Sequence, residues 1–302
     1  MTDSIPILPI PILDGIAAIR DRYDAYIVDL WGVVHDGVTP YPGVIDCLQR
    51  LRGEGLQVCL LSNAPRRVTS VVQRLAQIGV PEDCWDAILS SGEAAHLALA
   101  ARDDDFHQAL GERFLHLGPE RDSDVYEGVD DIYRVDAVAD ADFVLNTGID
   151  DPEERVEDHA ALLEAAAARN LPMICANPDI VVIVGGRMQI CAGALAQHYE
   201  TLGGQVFYHG KPHPPVYRRC FDLLGRPDPA RVLAIGDSFH TDMAGAAAAG
   251  IDGLFVVGGI HGAELRNAAT GRPDAHKLAA AAERHGLRPA AAIDRLVWDE
   301  LP

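Results

Sequence analysis

The chain has 302 residues, enough for one large or two medium domains with a sizeable core. Apolar residues make up 48% and the mean hydropathy is +0.04, the profile of a soluble globular protein with no membrane role. The formal net charge of −20 repels nucleic acid and anionic membranes, so neither is an expected partner; an anionic small substrate stays open, because one bound cation inverts the local field.

The segment Ile5-Pro-Ile-Leu-Pro-Ile-Pro-Ile12 is apolar but broken by prolines, and it lacks the basic start of a signal peptide. No run of about 20 apolar residues occurs after it, so no membrane span is expected. β-Branched apolar runs predict strands at Tyr26–Val28, Gln57–Leu61, Ala87–Leu89, Phe114–Leu117, Phe143–Leu145, Met173–Cys175, Val206–Tyr208, Val232–Ile235 and Leu254–Val257. Between them, helices are predicted at Val44–Gly53, Arg66–Gly79, Pro152–Arg169, Ala192–Thr201, Pro214–Leu224 and Asp242–Ala249, several ending at a glycine. This alternation predicts an α/β protein with parallel sheets flanked by helices. The acidic run Asp103-Asp-Asp105 and the stretch Pro119–Asp131 read as surface loops. The six cysteines form no C-x-x-C pair, and Cys59, Cys175 and Cys191 lie in apolar runs, which suits reduced, buried thiols in a cytoplasmic protein.

Three separated segments carry the chemistry: Asp29-Leu-Trp-Gly-Val-Val-His-Asp-Gly37, Gly210-Lys-Pro-His-Pro214 and Gly236-Asp-Ser-Phe-His-Thr-Asp242. The first and third come directly after apolar runs, so their leading carboxylates sit where the chain leaves a parallel sheet, the edge at which such sheets bind ligands. Two such carboxylates with a lysine suggest a magnesium and phosphate site. Asp29 can attack phosphorus; Asp29, the backbone carbonyl of Trp31 and Asp237 can hold Mg²⁺, with Asp242 one layer behind. Lys211 would neutralise the phosphoryl group, and Ser62 would donate to its oxygens. These segments lie at opposite ends of the chain, so a second domain inserted between them is the economical topology.

Here the chain resembles the haloacid dehalogenase-like hydrolases. Asp-x-x-Gly-Val at 29–33, Leu-Ser-Asn at 61–63, Gly-Lys-Pro at 210–212 and Gly-Asp-Ser-x-x-Thr-Asp at 236–242 are similar to that family's four motifs. Asn177-Pro-Asp179 and Gly193-Ala-Leu-Ala196 resemble its class IIA branch of p-nitrophenyl-phosphatase-like and pyridoxal-phosphatase-like enzymes. The resemblance implies a Rossmann-like core over 1–89 and 207–302 with an α/β cap over 90–206. It further implies Mg²⁺ and hydrolysis of a small phosphomonoester through Asp29, and it admits a homodimer.

One position departs from the pattern. Phosphatases of the family usually carry a second aspartate two residues after the nucleophile, as acid and base; here that position is Trp31, whose indole only donates. His35 and Asp36 are the nearest replacements, and His35 is also a substrate-binding candidate. Asn177 and Asp179 are candidates for binding substrate, or they form a turn. Asn63 binds phosphate or caps the helix near Pro65. His209, His213 and His240 flank the motifs without regular metal-ligand spacing, and Gly258-Gly-Ile-His-Gly262 reads as a loop. The leading expectation is an Mg²⁺-dependent phosphatase acting on a small phosphorylated metabolite. The rivals are a phosphate-ligand-binding or regulatory protein with weak turnover, and a carbon–halogen hydrolase, which would leave Asp237 and Asp242 unexplained.

Overall fold

A computed structural model describes residues 10–184 and 187–300. Most of the proline-broken segment 5–12 lies outside the described residues. Among those residues no helix is long and apolar enough to cross a membrane. The chain divides into two compact units, Met1–Leu61 with Leu75–Ile88 and Tyr217–Pro302, and Ser62–Arg74 with Leu89–Val216.

The first unit is built on a seven-stranded sheet. Its order from edge to edge is Ile12–Leu13, Ala291–Ile293, Asp252–Val256, Val232–Gly236, Ala25–Asp29, Gln57–Ser62 and Ala87–Ser90. Ala25–Asp29 and Val232–Gly236 are buried at every residue, which is why both read as unbroken apolar runs. Each is central and parallel to its neighbours: Val28 pairs with Ile235 on one side and Asp29 with Leu61 on the other. From Ala25–Asp29 the chain moves outward through Gln57–Ser62, and it returns on the opposite side through Val232–Gly236. The two carboxyl ends therefore flank a topological switch point, where open parallel sheets leave a crevice. Phe239, Met243, Phe255, Leu278 and Ala292 form an apolar cluster of this unit.

The second unit carries its own parallel sheet, ordered Val206–Tyr208, Met173–Cys175, Phe143–Asn146, Arg113–Leu117, Tyr133–Val135. Alternate residues face opposite sides. Leu115, Val144 and Met173 join Leu195 and Tyr199 in one cluster, and Phe114, Phe143 and Ile174 join Leu99 in another. An antiparallel hairpin, Val181–Val184 with Arg187–Ile190, leaves Ile183 and Met188 exposed.

Several expectations need correction. Pro119–Asp131 is more than a surface loop: Glu120–Val125 is a 3₁₀ turn that buries Val125 in the core and Asp122 against Arg66. The helix expected over Pro152–Arg169 is a turn, a 3₁₀ stretch at Val156–His159 and a helix at Ala160–Ala168. The helix expected from Asp242 begins instead with a π-turn at Phe239–Met243, before Ala244–Ala249. Ser91–Ala101 and Ala275–His285 are additional helices. All six cysteines are free and buried.

Candidate active site

Asp29 ends its strand, and Asp237 comes just after the end of the neighbouring one. Asp242 lies one π-turn further on. All three are buried, and each offers a carboxylate oxygen within 4.8 Å of the other two. Three buried like charges at that spacing repel strongly unless a cation joins them. The donors are hard oxygens only, the set that suits Mg²⁺ or Ca²⁺ rather than a thiophilic metal. The residues present therefore fit a divalent cation.

The backbone is shaped around these carboxylates. The Ile260 N–H donates to Asp237 Oδ2 at 2.6 Å, and the Ser238 N–H donates to Asp242 Oδ2 at 3.1 Å. Gly32, at φ +84°, and Gly259 both lie so close that a methyl group on either would overlap the Asp237 carboxylate. The peptide after Trp31 thus runs against Asp237. A methyl on Gly236 would overlap Asp242 in the same way. Gly258–Gly262 is therefore more than the plain loop its composition suggests. Its glycines are the visible signal of this close approach, but the carboxylate they approach is distant in sequence.

The loop after Asp29 engages its own polar groups. Gly37 N–H donates to His35 Nδ1 at 3.0 Å, so that nitrogen is an acceptor and the neutral ring carries its proton on Nε2. Asp36 Oδ1 accepts from the N–H groups of Val38 and Thr39, both at 2.8 Å. The Thr39 bond first, then the Val38 bond, hold the Asp36 carboxyl below the ordinary carboxylate range. A carboxylate held ionised inside a turn is a poor proton donor, which counts against Asp36 as the replacement acid. Trp31 is part-exposed (37%), packs over Gly37 and meets His35 edge-on with ring centroids 5.6 Å apart.

The second unit gathers the lysine motif. Asn63 Oδ1 accepts from the Lys211 N–H at 2.8 Å and the Ser91 hydroxyl at 3.2 Å, while its Nδ2 donates to Asp179 Oδ1 at 2.8 Å and the Lys211 carbonyl at 3.1 Å. An amide has two donor hydrogens and two acceptor sites, so Asn63 is saturated and clamps Lys211 rather than serving an outside anion. Asn177 Oδ1 accepts from the Asp179 N–H at 3.0 Å, forming the turn that presents Asp179. Ser62 Oγ accepts from the Ala64 N–H at 3.2 Å. Ser62, Asn63, Asn177 and Lys211 are all buried. Ser91 is not among the residues the motifs single out, although Ser90-x-x-Glu93 is a helix-start signal and Ser90 does accept from the Glu93 N–H. His209 instead joins a buried pair, its Nε2 lying 3.1 Å from His107 Nε2.

Residues 26–130 match the family described as haloacid dehalogenase-like hydrolase, and residues 208–283 match the HAD-hydrolase-like description. The chain is 29% identical over 252 residues to D-glycerol 3-phosphate phosphatase of Mycobacterium tuberculosis, across 82% of this chain and 66% of that enzyme, a little under two thirds of its length. It is 26% identical over 242 residues to ribonucleotide monophosphatase NagD of Escherichia coli K12, across 78% and 87%. A crystal structure of a hydrolase of the haloacid dehalogenase-like family from Brucella suis 1330 has a TM-score of 0.79 and 39% identity, covering 94% of this chain and 99% of that one.

Proposed function

Because the chain belongs to the haloacid dehalogenase-like hydrolase family, we propose that it is an Mg²⁺-dependent phosphatase of a small phosphomonoester, with sugar phosphates as a candidate class. The convergence of Asp29, Asp237 and Asp242 at a sheet switch point carries this reading. Asp29, the Trp31 carbonyl and Asp237, with Asp242 behind, would hold the cation, which would offset the repulsion between carboxylate and phosphate.

In this reading an Asp29 oxygen forms a bond to phosphorus as the ester P–O bond breaks. The leaving oxygen takes a proton from solvent water, in the absence of an acid at Trp31, and departs as the alcohol. Water then cleaves the aspartyl-phosphate, restoring Asp29 and releasing phosphate. Lys211 neutralises the phosphoryl oxygens and Ser62 donates to them, by their family motifs. Asn63, bonded to both backbone groups of Lys211, positions that lysine. Residues 1–89 and 207–302 take the part of the catalytic core, and 90–206 the part of the cap. The relatives' named substrates, glycerol phosphate and ribonucleotide monophosphates, set the first compounds to test.

Trp31 supports a second reading, a phosphate-ligand-binding or regulatory protein with weak turnover. The usual acid is absent there, and Asp36 is occupied in its turn. Phosphate release from a panel of sugar phosphates, glycerol phosphate, phosphoglycolate, pyridoxal phosphate and nucleotides, with and without Mg²⁺, separates the two. Mg²⁺-dependent turnover of one class supports the phosphatase. Ligand binding without turnover across the panel supports the rival.

A further inference from the structure

Given the phosphatase reading above, on which this rests, we propose that Trp31 is the platform for a flat aromatic leaving group, so that the ester cleaved at Asp29 is an aryl phosphate. Sugar phosphates then become the contrast class rather than the candidate.

The indole starts beside the carboxylates and is held in place. Trp31 stands two residues after Asp29 and directly before Gly32, where a methyl group would overlap the Asp237 carboxylate. Two peptide steps span at most about 7 Å. The Leu30 carbonyl accepts from the N–H groups of Val34 and His35 at 2.9 and 3.1 Å, and the Gly32 N–H donates to the His35 carbonyl at 3.0 Å, which fixes the backbone on both sides of Trp31. The buried His35 ring meets the indole at 78° between planes. Gly37, at φ +90°, lies so close that a methyl there would overlap the benzene ring of the indole. Trp31 is nevertheless part-exposed, so it offers aromatic surface to a ligand at little ordering cost.

Two independent observations select an aryl group. Residues 30–38 and 258–262, the loops that run against Asp237, contain no Lys, Arg, Ser, Thr, Asn or Gln. Their polar side chains are already engaged: Asp36 with the Val38 and Thr39 N–H groups, His35 with the Gly37 N–H, and His261 with Glu264. The large apolar side chains they expose are Trp31, Val38 and Ile260. Sugar hydroxyls would lose water against these loops without gaining side-chain partners, whereas a flat ring gains an offset-stacked or edge-to-face contact with the indole. The second observation concerns the proton. As the Asp29 oxygen bonds to phosphorus, the ester P–O bond breaks and its electron pair stays on the leaving oxygen. No acid stands at position 31, and Asp36 is occupied in its turn. A phenol ionises near pH ~10, against ~15.7 for water, to which alcohols lie close. An aryl group therefore departs as the phenolate and takes its proton from water afterwards, whereas an alkoxide needs the proton during cleavage. Water then opens the aspartyl-phosphate, so one water is consumed and a phenol and phosphate are released.

The test uses ring-matched pairs in Mg²⁺: phenylphosphonate against cyclohexylphosphonate for binding, and phenyl phosphate against cyclohexyl phosphate for turnover. The P–C bond of the phosphonates is not hydrolysed, so calorimetry reads recognition without chemistry. Phenylphosphonate should bind wild type about threefold to tenfold tighter than its saturated partner. Trp31→Phe should keep most of that preference and Trp31→Leu should lose it; both retain the backbone carbonyl at 31, and circular dichroism verifies the fold. In turnover, kcat/KM for phenyl phosphate should exceed that for cyclohexyl phosphate by at least about 10²-fold, the help a general acid would otherwise give the alkyl ester. Equal binding of the two phosphonates by wild type, or a preference that folded Trp31→Leu retains, overturns the platform. Cyclohexyl phosphate turned over within about tenfold of phenyl phosphate overturns the aryl-ester assignment. A ring preference without hydrolysis of any ester supports the platform and sinks the phosphatase reading; hydrolysis without a ring preference does the reverse.

Discussion

The backbone N–H of Ile260 donates to Asp237 Oδ2 at 2.6 Å, tying a loop beyond one central strand to a carboxylate at the end of its neighbour. Gly259 stands just before it, where a methyl group would overlap the same oxygen. Gly259→Ala should therefore move Asp237 and weaken Mg²⁺ binding about tenfold, or about 1.4 kcal/mol. Overpacking of this kind costs about 1–3 kcal/mol of stability as well, so the melting temperature should fall by a few degrees. A metal titration indistinguishable from wild type would detach Asp237 from the cation site.

Asp29→Asn should abolish phosphate release, because an amide oxygen is not a competent nucleophile. It should also raise the melting temperature of the metal-free protein, since it removes one of three buried negative charges held within 4.8 Å. Wild type should gain more from added Mg²⁺ than the variant does, as binding to the native state stabilises it by mass action. Melting curves in a chelator and in Mg²⁺ check both. Retained phosphate release would rule out Asp29 as the nucleophile.

Asn63→Ala removes four hydrogen bonds at once and leaves the Lys211 N–H, the Lys211 carbonyl and the Ser91 hydroxyl without that partner. Stability should drop by about 1–3 kcal/mol for the buried groups left unsatisfied. If Lys211 binds the phosphoryl group, kcat/KM should fall by about 10–100-fold through its misplacement. Steady-state kinetics on the folded variant decide the matter, and an unchanged kcat/KM would sink the clamp.

Acid should destabilise the second unit. Burial, then the neighbouring His107, pulls His209 down to about 3, and burial, then Arg134, pulls His116 down to about 4, from an ordinary value of 6.5. Between about pH 6.5 and 4 the unfolded chain binds protons at these histidines that the folded chain does not, so stability falls as pH falls. Asp122 opposes this. Burial pushes it up to about 6 despite Arg66, so it adds stability as pH falls from about 6 toward 3.8. Two histidines against one carboxyl leave a net loss. Melting temperatures from pH 7 to 5 should decline less steeply in His209→Gln than in wild type, and Asp122→Asn should steepen the decline. Parallel slopes for all three proteins would contradict the assignment.

Much of this arrangement is legible in the sequence because the strands Ala25–Asp29 and Val232–Gly236 are buried on both faces, so the chain writes them as continuous apolar runs leading into aspartate. Features set by local periodicity are visible there; those set by long-range hydrogen bonding are not. Asn63 reads equally well as phosphate ligand or helix cap, and only the fold reveals that residues as far as 148 positions away use up its amide. The edge strand Ile12–Leu13 and its neighbour Ala291–Ile293 are too short to show a period. The helix Ser91–Ala101 has little amphipathic contrast, so its start signal at Ser90 is the only local cue. Asp122 looks like loop acidity because its partner, Arg66, lies in a distant segment.

Trp31 gives the sharpest test. Its ring is part-exposed and packs on Gly37 and His35, so it contributes little core area and an aspartate can replace it without opening a deep cavity. If the site is a phosphatase lacking its usual acid, Trp31→Asp should raise kcat on a poor leaving group by about 10²-fold or more, the lower end of what general acid–base help supplies. A good leaving group such as p-nitrophenolate needs little protonation, so its gain should be much smaller. His35→Ala is the companion. His35 Nδ1 already accepts from the Gly37 N–H, so a proton added there would cost that bond, and Nε2 carries the proton of the neutral ring. The ring is thus set to hold the loop and donate a hydrogen bond, not to serve as a base. His35→Ala should lower the melting temperature and raise KM while leaving the shape of the pH–rate profile unchanged. A profile that loses one limb would restore His35 as the acid–base group. A folded Trp31→Asp protein with no gain on any leaving group, together with a wild type that binds phosphate esters without hydrolysing them, would shift the balance to the ligand-binding reading.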